Sequence, residues 1–230
     1  MHNKNIHTAI LLFANSPEEE LKQKNISGSK NLYEYFNEKT LLKAKQTGLD
    51  IVLFSDANQV GKNFGERFSN AIASVFKQGY DAVITIGNDT PDLKTQHLLS
   101  AKENLQNQIL TLGPSMDGGS YLITLSKSTF NTEEFQKLPW QSNHLFTALE
   151  QYLSSKKHTT EHLEVLKDVD ETKDLYYFIN RFRNSNLDLK HLILLILSFP
   201  KEFIAEIYNT YNSIYSFNTF NKGSPSVLIS

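Results

Sequence analysis

The sequence predicts an α/β protein built as a three-layer sandwich, with a mostly parallel sheet covered by helices on both faces. Three observations carry this reading. Apolar runs that are continuous rather than alternating recur at Thr8–Ala14, Ile51–Phe54, Ala82–Ile86, Ile109–Leu112 and Tyr121–Leu125, the pattern of strands buried on both faces. Segments with apolar residues at helical spacing separate most of these runs. Gly48 and Gly79 stand where helices should stop and a strand begin.

Taken in order, strand Thr8–Ala14 leads into an irregular loop from Asn15 to Ser29. Ser29 is placed to cap a helix running to Gln46, with Leu32, Tyr35, Phe36, Leu41 and Leu42 as its inward face. After strand Ile51–Phe54, a helix from Phe64 to Gln78 carries Phe64, Phe68, Ala71, Ile72, Val75 and Phe76 on one side. Strand Ala82–Ile86, a helix from Thr95 to Asn107, and strands Ile109–Leu112 and Tyr121–Leu125 follow. Beyond Trp140 the pattern gives a helix from Asn143 to Ser155, a last strand at Leu163–Leu166, and a helix from Thr172 to Arg183.

Asn184-Ser185-Asn186 reads as a linker. The main domain is therefore expected over residues 1–183, with residues 184–230 as a C-terminal helical appendage of two helices, Leu187–Phe199 and Pro200–Tyr215. The first of these is apolar nearly all round, which demands burial against the main domain, in a homodimer through the C-terminal helices, or at a membrane surface.

Bulk properties exclude several classes of function. A net charge of −2 gives no basic footprint for a nucleic-acid partner. With no cysteine there are neither disulfides nor thiolate metal sites. The most hydrophobic stretch, Leu192–Leu197, is far shorter than the roughly 20 residues that span a bilayer. Residues 1–7 lack the apolar core of a secretory signal, which predicts a cytoplasmic protein.

The chemistry concentrates in aspartates at strand ends. Asp89 and Asp92 follow Ala82–Ile86 in Gly87-Asn88-Asp89-Thr90-Pro91-Asp92-Leu93, Asp117 follows Ile109–Leu112, and Asp168 and Asp170 follow Leu163–Leu166. In an open α/β sheet the carboxyl ends of strands face the ligand crevice, and unpaired charge there is costly unless something uses it. Magnesium, a hard cation, takes one or two carboxylates with phosphate and water completing its shell, so a metal and phosphate site is the leading reading. The alternative is a set of loop and cap aspartates, with Asp92, just ahead of a helix, as an N-cap.

Glycines accompany the acids. Gly113 and Gly118-Gly119 permit close backbone approach or positive φ. A further cluster, Gln59-Val60-Gly61-Lys62-Asn63-Phe64-Gly65-Glu66-Arg67, sets an arginine at a helix start, where N–H groups and the dipole attract anions. Arg67 is suited to a phosphate or a nucleobase edge, or else to a plain ion pair with a glutamate. Trp140 after Pro139 has the surface to stack on a base or sugar, or to fill a rim or core position. His158 and His162 lie around a loop and make a poor metal pair.

Five motifs occur in order: Gln59-x-Gly61-x-x-Phe64-Gly65-Glu66-Arg67, Gly87-x-Asp89-x-Pro91-Asp92-Leu93, Leu112-Gly113-Pro114-x-x-Asp117-Gly118-Gly119-x-Tyr121-Leu122-Ile123, Pro139-Trp140, and Asp168-Val169-Asp170-x-Thr172-x-Asp174-Leu175. Over about residues 6–183 the chain resembles a family of bacterial glycosyltransferase-like proteins, some met with arsenosugar biosynthesis. That family lies within the nucleotide-diphospho-sugar transferase superfamily, which also holds the molybdenum-cofactor guanylyltransferase and phospholactate guanylyltransferase. The resemblance implies a GT-A, Rossmann-like fold that binds a nucleotide or nucleotide sugar through Mg²⁺ or Mn²⁺ and serves an unknown small-molecule acceptor.

By motif position the resemblance makes Asp89 the principal metal carboxylate and Asp170 the second ligand. It makes Asp89 and Asp117 the catalytic residues, with Asp117 and Gly118-Gly119 on the acceptor or sugar side. Lys22, Lys24, Gly65, Arg67, Gly87, Gly118 and Gly119 become the nucleotide or sugar contacts. The chain departs from the pattern after its first strand, where relatives carry K-x-P-x-x-G-x-x-K-T-R-L. Here the loop reads Asn15-Ser16-Pro17-Glu18-Glu19-Glu20-Leu21-Lys22-Gln23-Lys24, with no glycine and three added acids. Three readings stay open: a glycosyltransferase using a nucleotide sugar, a nucleotidyltransferase that releases pyrophosphate, and a nucleotide-binding scaffold that has lost catalysis.

Overall fold

Six strands form one sheet: β1 (Thr8–Phe13), β2 (Asp50–Phe54), β3 (Ala82–Ile86), β4 (Leu110–Pro114), β5 (Ser120–Ser126) and β6 (Thr160–His162), in the order β2-β1-β3-β5-β4-β6. The structure, a computed structural model, describes residues 6–24, 26, 29–181 and 187–198. β1 pairs in parallel with β2 and β3, and β4 with β6, while β5 runs antiparallel between β3 and β4. The reversal follows from chain length: only the turn at 115–119 joins β4 to β5, and a parallel connection needs a long crossover. β3 is buried at every position and β1 at all but its last, as their unbroken apolar character requires.

The first helix falls where an irregular loop is expected. α1 (Pro17–Gln23) starts at Ser16, whose Oγ accepts a hydrogen bond from the Glu19 N–H at 3.3 Å. Pro17 opens the first turn, and Glu18, Glu19 and Glu20 complement the positive end of the helix dipole. The acid triplet is thus a helix start. α2 (Lys30–Lys45) buries Leu32, Tyr33, Phe36, Thr40 and Ala44, a face turned slightly from the one expected, and Leu42 lies exposed. Ser29 precedes it, but its hydroxyl donates to the Ile26 carbonyl and makes no cap hydrogen bond.

α3 (Phe64–Lys77) is capped by Asn63, whose Oδ1 accepts from the Glu66 N–H at 2.9 Å. α4 (Thr95–Gln106), α5 (Thr132–Phe135), α6 (Leu145–Ser155), α7 (Thr172–Arg181) and α8 (Leu187–Ser198) complete the described helices. α2 packs with α4, and α3 with α5, so helices lie on both faces of the sheet. The last strand lies three residues earlier than the apolar run Leu163–Leu166. That run still follows β4, with the Leu163 and Leu166 N–H groups donating to the Leu112 and Pro114 carbonyls. Regular pairing lapses there because Pro114 has no N–H to return; on its other side β4 shifts register against β5 between Gly113 and Pro114.

A second apolar cluster joins Leu32, Tyr33 and Phe36 of α2, Leu175 and Phe178 of α7, and Leu189 and Ile193 of α8, around Ile26 and Val169. The apolar appendage helix therefore buries one side against the main body and leaves Leu187, Leu194 and Leu195 exposed. The linker at residues 184–186, the helix Pro200–Tyr215, and the ends read to Arg183 and Phe199 lie outside the described residues. No described helix is long and apolar enough to cross a membrane.

One half-buried cation ties α2 to the loop after β3: Lys43 Nζ donates to the Pro91 carbonyl at 3.0 Å. Burial pushes its pKa down to about 8, against the pull of Asp92 and with the help of Lys39. The ordinary lysine value is higher, so between pH 8 and about 10.5 the unfolded chain holds the proton more often. The stability cost of Lys43 is thus full below pH 8 and fades as pH rises through that window. Lys43→Met should melt higher than wild type at pH 7, with the gap closing as melting curves are taken towards pH 10.

Candidate active site

β1 and β3 are neighbours, yet the chain leaves β1 towards β2 on one side and returns to β3 on the other. That is a topological switch point, where α/β sheets open a crevice beyond the strands' carboxyl ends. A cleft of about 470 Å³ lies there, bounded by Phe13–Asn15 after β1, Gly87–Asp89 after β3, the turn between β4 and β5, and Asp168 and Asp170. Its volume is in the range of small-molecule sites.

Asp168 and Asp170 reach the cleft because Val169 between them does not. Val169 is fully buried in the α2–α7–α8 cluster, and its N–H donates to the Asp89 carbonyl at 2.9 Å. Alternation along an extended segment then turns both flanking carboxylates the other way. The centre of this acidic group is Lys24. Its Nζ lies 2.5 Å from Asp89 Oδ2, 3.0 Å from Asp170 Oδ1, 2.9 Å from the Val169 carbonyl and 3.9 Å from Glu20 Oε2. Burial works to lower the Lys24 pKa, but Asp89, Asp170 and Glu20 outweigh it and raise it well above the ordinary value.

The carboxyl groups respond in the opposite sense. Burial, reinforced by Asp89 and Asp117, pushes Asp168 well above the usual carboxylate range, although Thr90 Oγ1 donates to it. Burial also raises Asp170, against the pull of Lys24. Glu20, buried beside Lys24, is raised by burial and accepts from Asn15 Nδ2. Acids of the first loop do not crowd the cleft as a block: Glu18 pairs with Lys30 and Glu19 with Lys22, leaving only Glu20 on its wall.

Of the sequence-predicted residues, Lys24, Arg67, Gly87, Asp89, Asp117, Gly119 and Asp170 line the cleft. Lys22, Gly65 and Gly118 do not. Lys22 is an exposed partner of Glu19. Gly65 is buried under α5, where a Cβ would lie 2.3 Å from the Gln136 carbonyl oxygen and 2.6 Å from the Trp140 ring. Gly118 seats the turn on the next segment, its carbonyl accepting from the Phe146 N–H at 2.9 Å. Asp117 folds back within the same turn: its Oδ1 accepts from Ser115 Oγ at 2.5 Å and from the Gly119 N–H at 2.9 Å.

At α3 the N-terminal groups are used internally, Asn63 capping Glu66 and Glu66 Oε2 accepting from the Lys62 N–H. Arg67 forms no ion pair with Glu66, and among the described residues its guanidinium has no carboxylate partner. Around it the wall is aromatic: Phe13, Phe64, Phe68 and Trp140 contact one another with ring centroids 4.9–5.7 Å apart. Trp140 is held in place by its Nε1, which donates to the Phe135 carbonyl.

Two features of the wall escape sequence reasoning. Glu20 read as one of three loop acids, and Gln141 through Asn143, with Gln141 at φ 60°, carry no local pattern that marks a site. Asp92 is not an N-cap: Lys94 holds that place, and Asp92 lies 3.6 Å from the Arg181 guanidinium. Asp92→Asn should therefore lower stability by no more than about 1 kcal/mol, the scale of a partly exposed ion pair, and leave ligand binding intact. Melting curves and a binding isotherm on one sample check both halves. His158 and His162 bond separately, to Thr129 and Glu150.

Whether the cleft suits a divalent cation turns on its donors. Asp89 and Asp170 offer only oxygens and converge on one cationic atom, Lys24 Nζ, so two carboxylates already share a cation. That pair fits Mg²⁺ or Mn²⁺, which need few protein ligands when phosphate supplies the rest. Among the described residues no three His, Cys, Asp or Glu side chains form a ready-made cage.

The sheet order with its single antiparallel strand, flanked by helices, is a Rossmann-like fold of the nucleotide-diphospho-sugar transferase kind. It superposes on a Desulfovibrio desulfuricans G20 protein provisionally described as a nucleotide-diphospho-sugar transferase, with TM-score 0.73 and 23% identity over 82% of this chain and 94% of that one. Residues 37–142 match the model of a family described as an uncharacterized protein conserved in bacteria (DUF2064). The match spans Arg67, Asp89 and Asp117 but neither Lys24 nor Asp170. The Mycobacterium sp. strain JC1 homologue of Mycobacterium tuberculosis Rv0371c aligns more loosely, at TM-score 0.42 and 14% identity over 76% of this chain and 96% of that one. Rv0371c from strain H37Rv, solved in complex with manganese, aligns at TM-score 0.39 and 14% identity over 74% and 97%. No curated protein matches the chain in sequence.

Proposed function

We propose that the chain is a metal-dependent, GT-A-type glycosyltransferase that takes a nucleotide-sugar donor. The observation that carries this is the convergence of Asp89 and Asp170 on one cationic atom in a cleft at the β1/β3 switch point. Asp89 and Asp170 hold the divalent cation, which when bound stabilises charge developing on the departing phosphate oxygens. Arg67, a cation in the cleft wall with no carboxylate partner among the described residues, takes a phosphate or a base edge, and the Phe64–Trp140 wall offers a stacking surface.

Asp117 and Gly119 form the acceptor side. The Asp117 carboxylate is oriented through Oδ1 and leaves Oδ2 to accept the proton of an acceptor hydroxyl as its oxygen attacks the anomeric carbon. The bond from that carbon to the donor phosphate breaks and a nucleoside diphosphate leaves. Lys24, beside Asp89 and Asp170 in the cleft, supplies an ammonium for those phosphates.

A nucleotidyltransferase would need a cradle for a third phosphate, and α1 stands where a glycine-rich loop would supply it. Of its backbone donors, the Glu19 N–H is taken by Ser16 Oγ and the Lys24 N–H by the Glu20 carbonyl. This favours a donor with two phosphates. Incubation with nucleotide sugars and with nucleoside triphosphates, in Mn²⁺, separates the readings. Release of a nucleoside diphosphate from a sugar donor supports the proposal, and release of pyrophosphate from a triphosphate replaces it with the nucleotidyltransferase. Tight binding without either product identifies a nucleotide-binding scaffold.

A further inference from the structure

Lys24 occupies the position that a metal bridging Asp89 and Asp170 would need. A divalent ion sits about 2.0–2.6 Å from its carboxylate oxygens. No ion can bridge Asp89 Oδ2 and Asp170 Oδ1 while an ammonium lies 2.5 and 3.0 Å from them. The side chain is also free to leave: Lys24 is the C-cap of α1 with extended backbone, φ −100° and ψ 134°, so its departure unwinds no helix. In its present place it is 14% exposed, and losing its partners there would strand a buried charge.

We propose that Lys24 is a resident counter-cation that excludes free divalent metal from the Asp89–Asp170 pair and yields the place only to metal arriving with the phosphates of a nucleotide. Free metal must displace the ammonium and leave it without an anion. Metal entering with a nucleotide brings phosphate oxygens that take the ammonium over, so each cation keeps an anionic partner. The inference rests on the metal-nucleotide reading above and names the residue that sets its order of binding.

The test is Mn²⁺ binding without nucleotide, by calorimetry, in wild type and Lys24→Met. The variant should bind Mn²⁺ alone at least tenfold more tightly, and a nucleoside diphosphate should shrink or reverse that advantage because the variant has no ammonium for the phosphates. Equal or weaker Mn²⁺ affinity in the variant overturns the proposal and leaves the metal reading standing. Absence of Mn²⁺ binding in both proteins, with and without nucleotide, overturns the metal reading and this one with it. Acylation of Lys24 in the wild-type protein, read by peptide mass spectrometry, needs no variant to fold. It should be slow without metal and stay slow in Mn²⁺ alone at a concentration that saturates the nucleotide-bound protein, and a rate raised tenfold or more by that free Mn²⁺ refutes the exclusion.

Discussion

Replacing Asp89 by Asn should lower metal-dependent nucleotide affinity by at least about 100-fold, close to 2.7 kcal/mol, with far-UV circular dichroism unchanged. The carboxylate is half of the only pair among the described residues that converges on Lys24 Nζ at 3.0 Å or less, and an amide oxygen is a weaker ligand without its charge. The fold should survive because Lys24 keeps Asp170, Glu20 and the Val169 carbonyl, and the Asp89 backbone still accepts from Val169. Calorimetry with the same nucleotide, with and without Mn²⁺, gives the number. Equal metal-dependent affinity in the variant and wild type contradicts the role given to Asp89.

The second large effect falls on stability. Gly118 has φ +90°, and a Cβ there would stand 2.2 Å from the Asn143 carbonyl oxygen, a backbone atom that cannot rotate away. Gly118→Ala combines left-handed strain with overpacking, each on the order of 1–3 kcal/mol. Together they cost roughly 2–6 kcal/mol, and a chain of this size loses roughly 2–4 °C for each kcal/mol, so the melting temperature should fall by about 4–24 °C. The damage should reach the site, since lifting the turn off Asn143 moves Asp117 as well. Gly119→Ala is the control: its Cβ would meet Ser115 Oγ at 2.9 Å, a hydroxyl that can turn aside, and the fall should be less than half as large. A Gly118→Ala protein that melts with wild type would show that the turn is not seated as described.

The parts of this fold that the sequence displays are those where one face or one run decides. β3 stands at Ala82–Ile86 as its unbroken apolar run requires, and α3 follows a clean helical stripe closed by Gly79. α1 was hidden because its signals, a serine followed by proline and three acids, also describe a polar loop. β6 was displaced because Pro114 has no N–H to carry the ladder past Leu163, although the Leu163 and Leu166 N–H groups still donate to β4. The antiparallel turn of β5 was legible only in the missing helix between it and β4.

The candidate site shows the same division. Aspartates at strand ends are visible in one dimension, because strand ends are. That Lys24 lies between Asp89 and Asp170 is a contact across 65 residues, and nothing local in Lys22-Gln23-Lys24 says which lysine turns inward. The choice follows from helix geometry: Lys22 sits one turn after Glu19 on the exposed side, and Lys24 leaves the helix beside buried Glu20. Gly65 and Gly118, conspicuous in the motifs, act by letting backbone and ring pack closely, which sequence cannot tell apart from direct contact with a ligand.

The central claim is that the acidic cleft binds a nucleotide sugar through a divalent cation, and a thermal-shift series tests it most directly. The purified chain is melted with each of several nucleotide sugars, in Mn²⁺ and in chelator. At about 100-fold above its Kd, a ligand bound only by the folded state adds roughly 2.7 kcal/mol, enough for a clear rise in melting temperature. A rise seen with a nucleotide sugar in Mn²⁺ and lost in chelator is the predicted result. A well-folded sample that melts at one temperature under every condition would contradict the account.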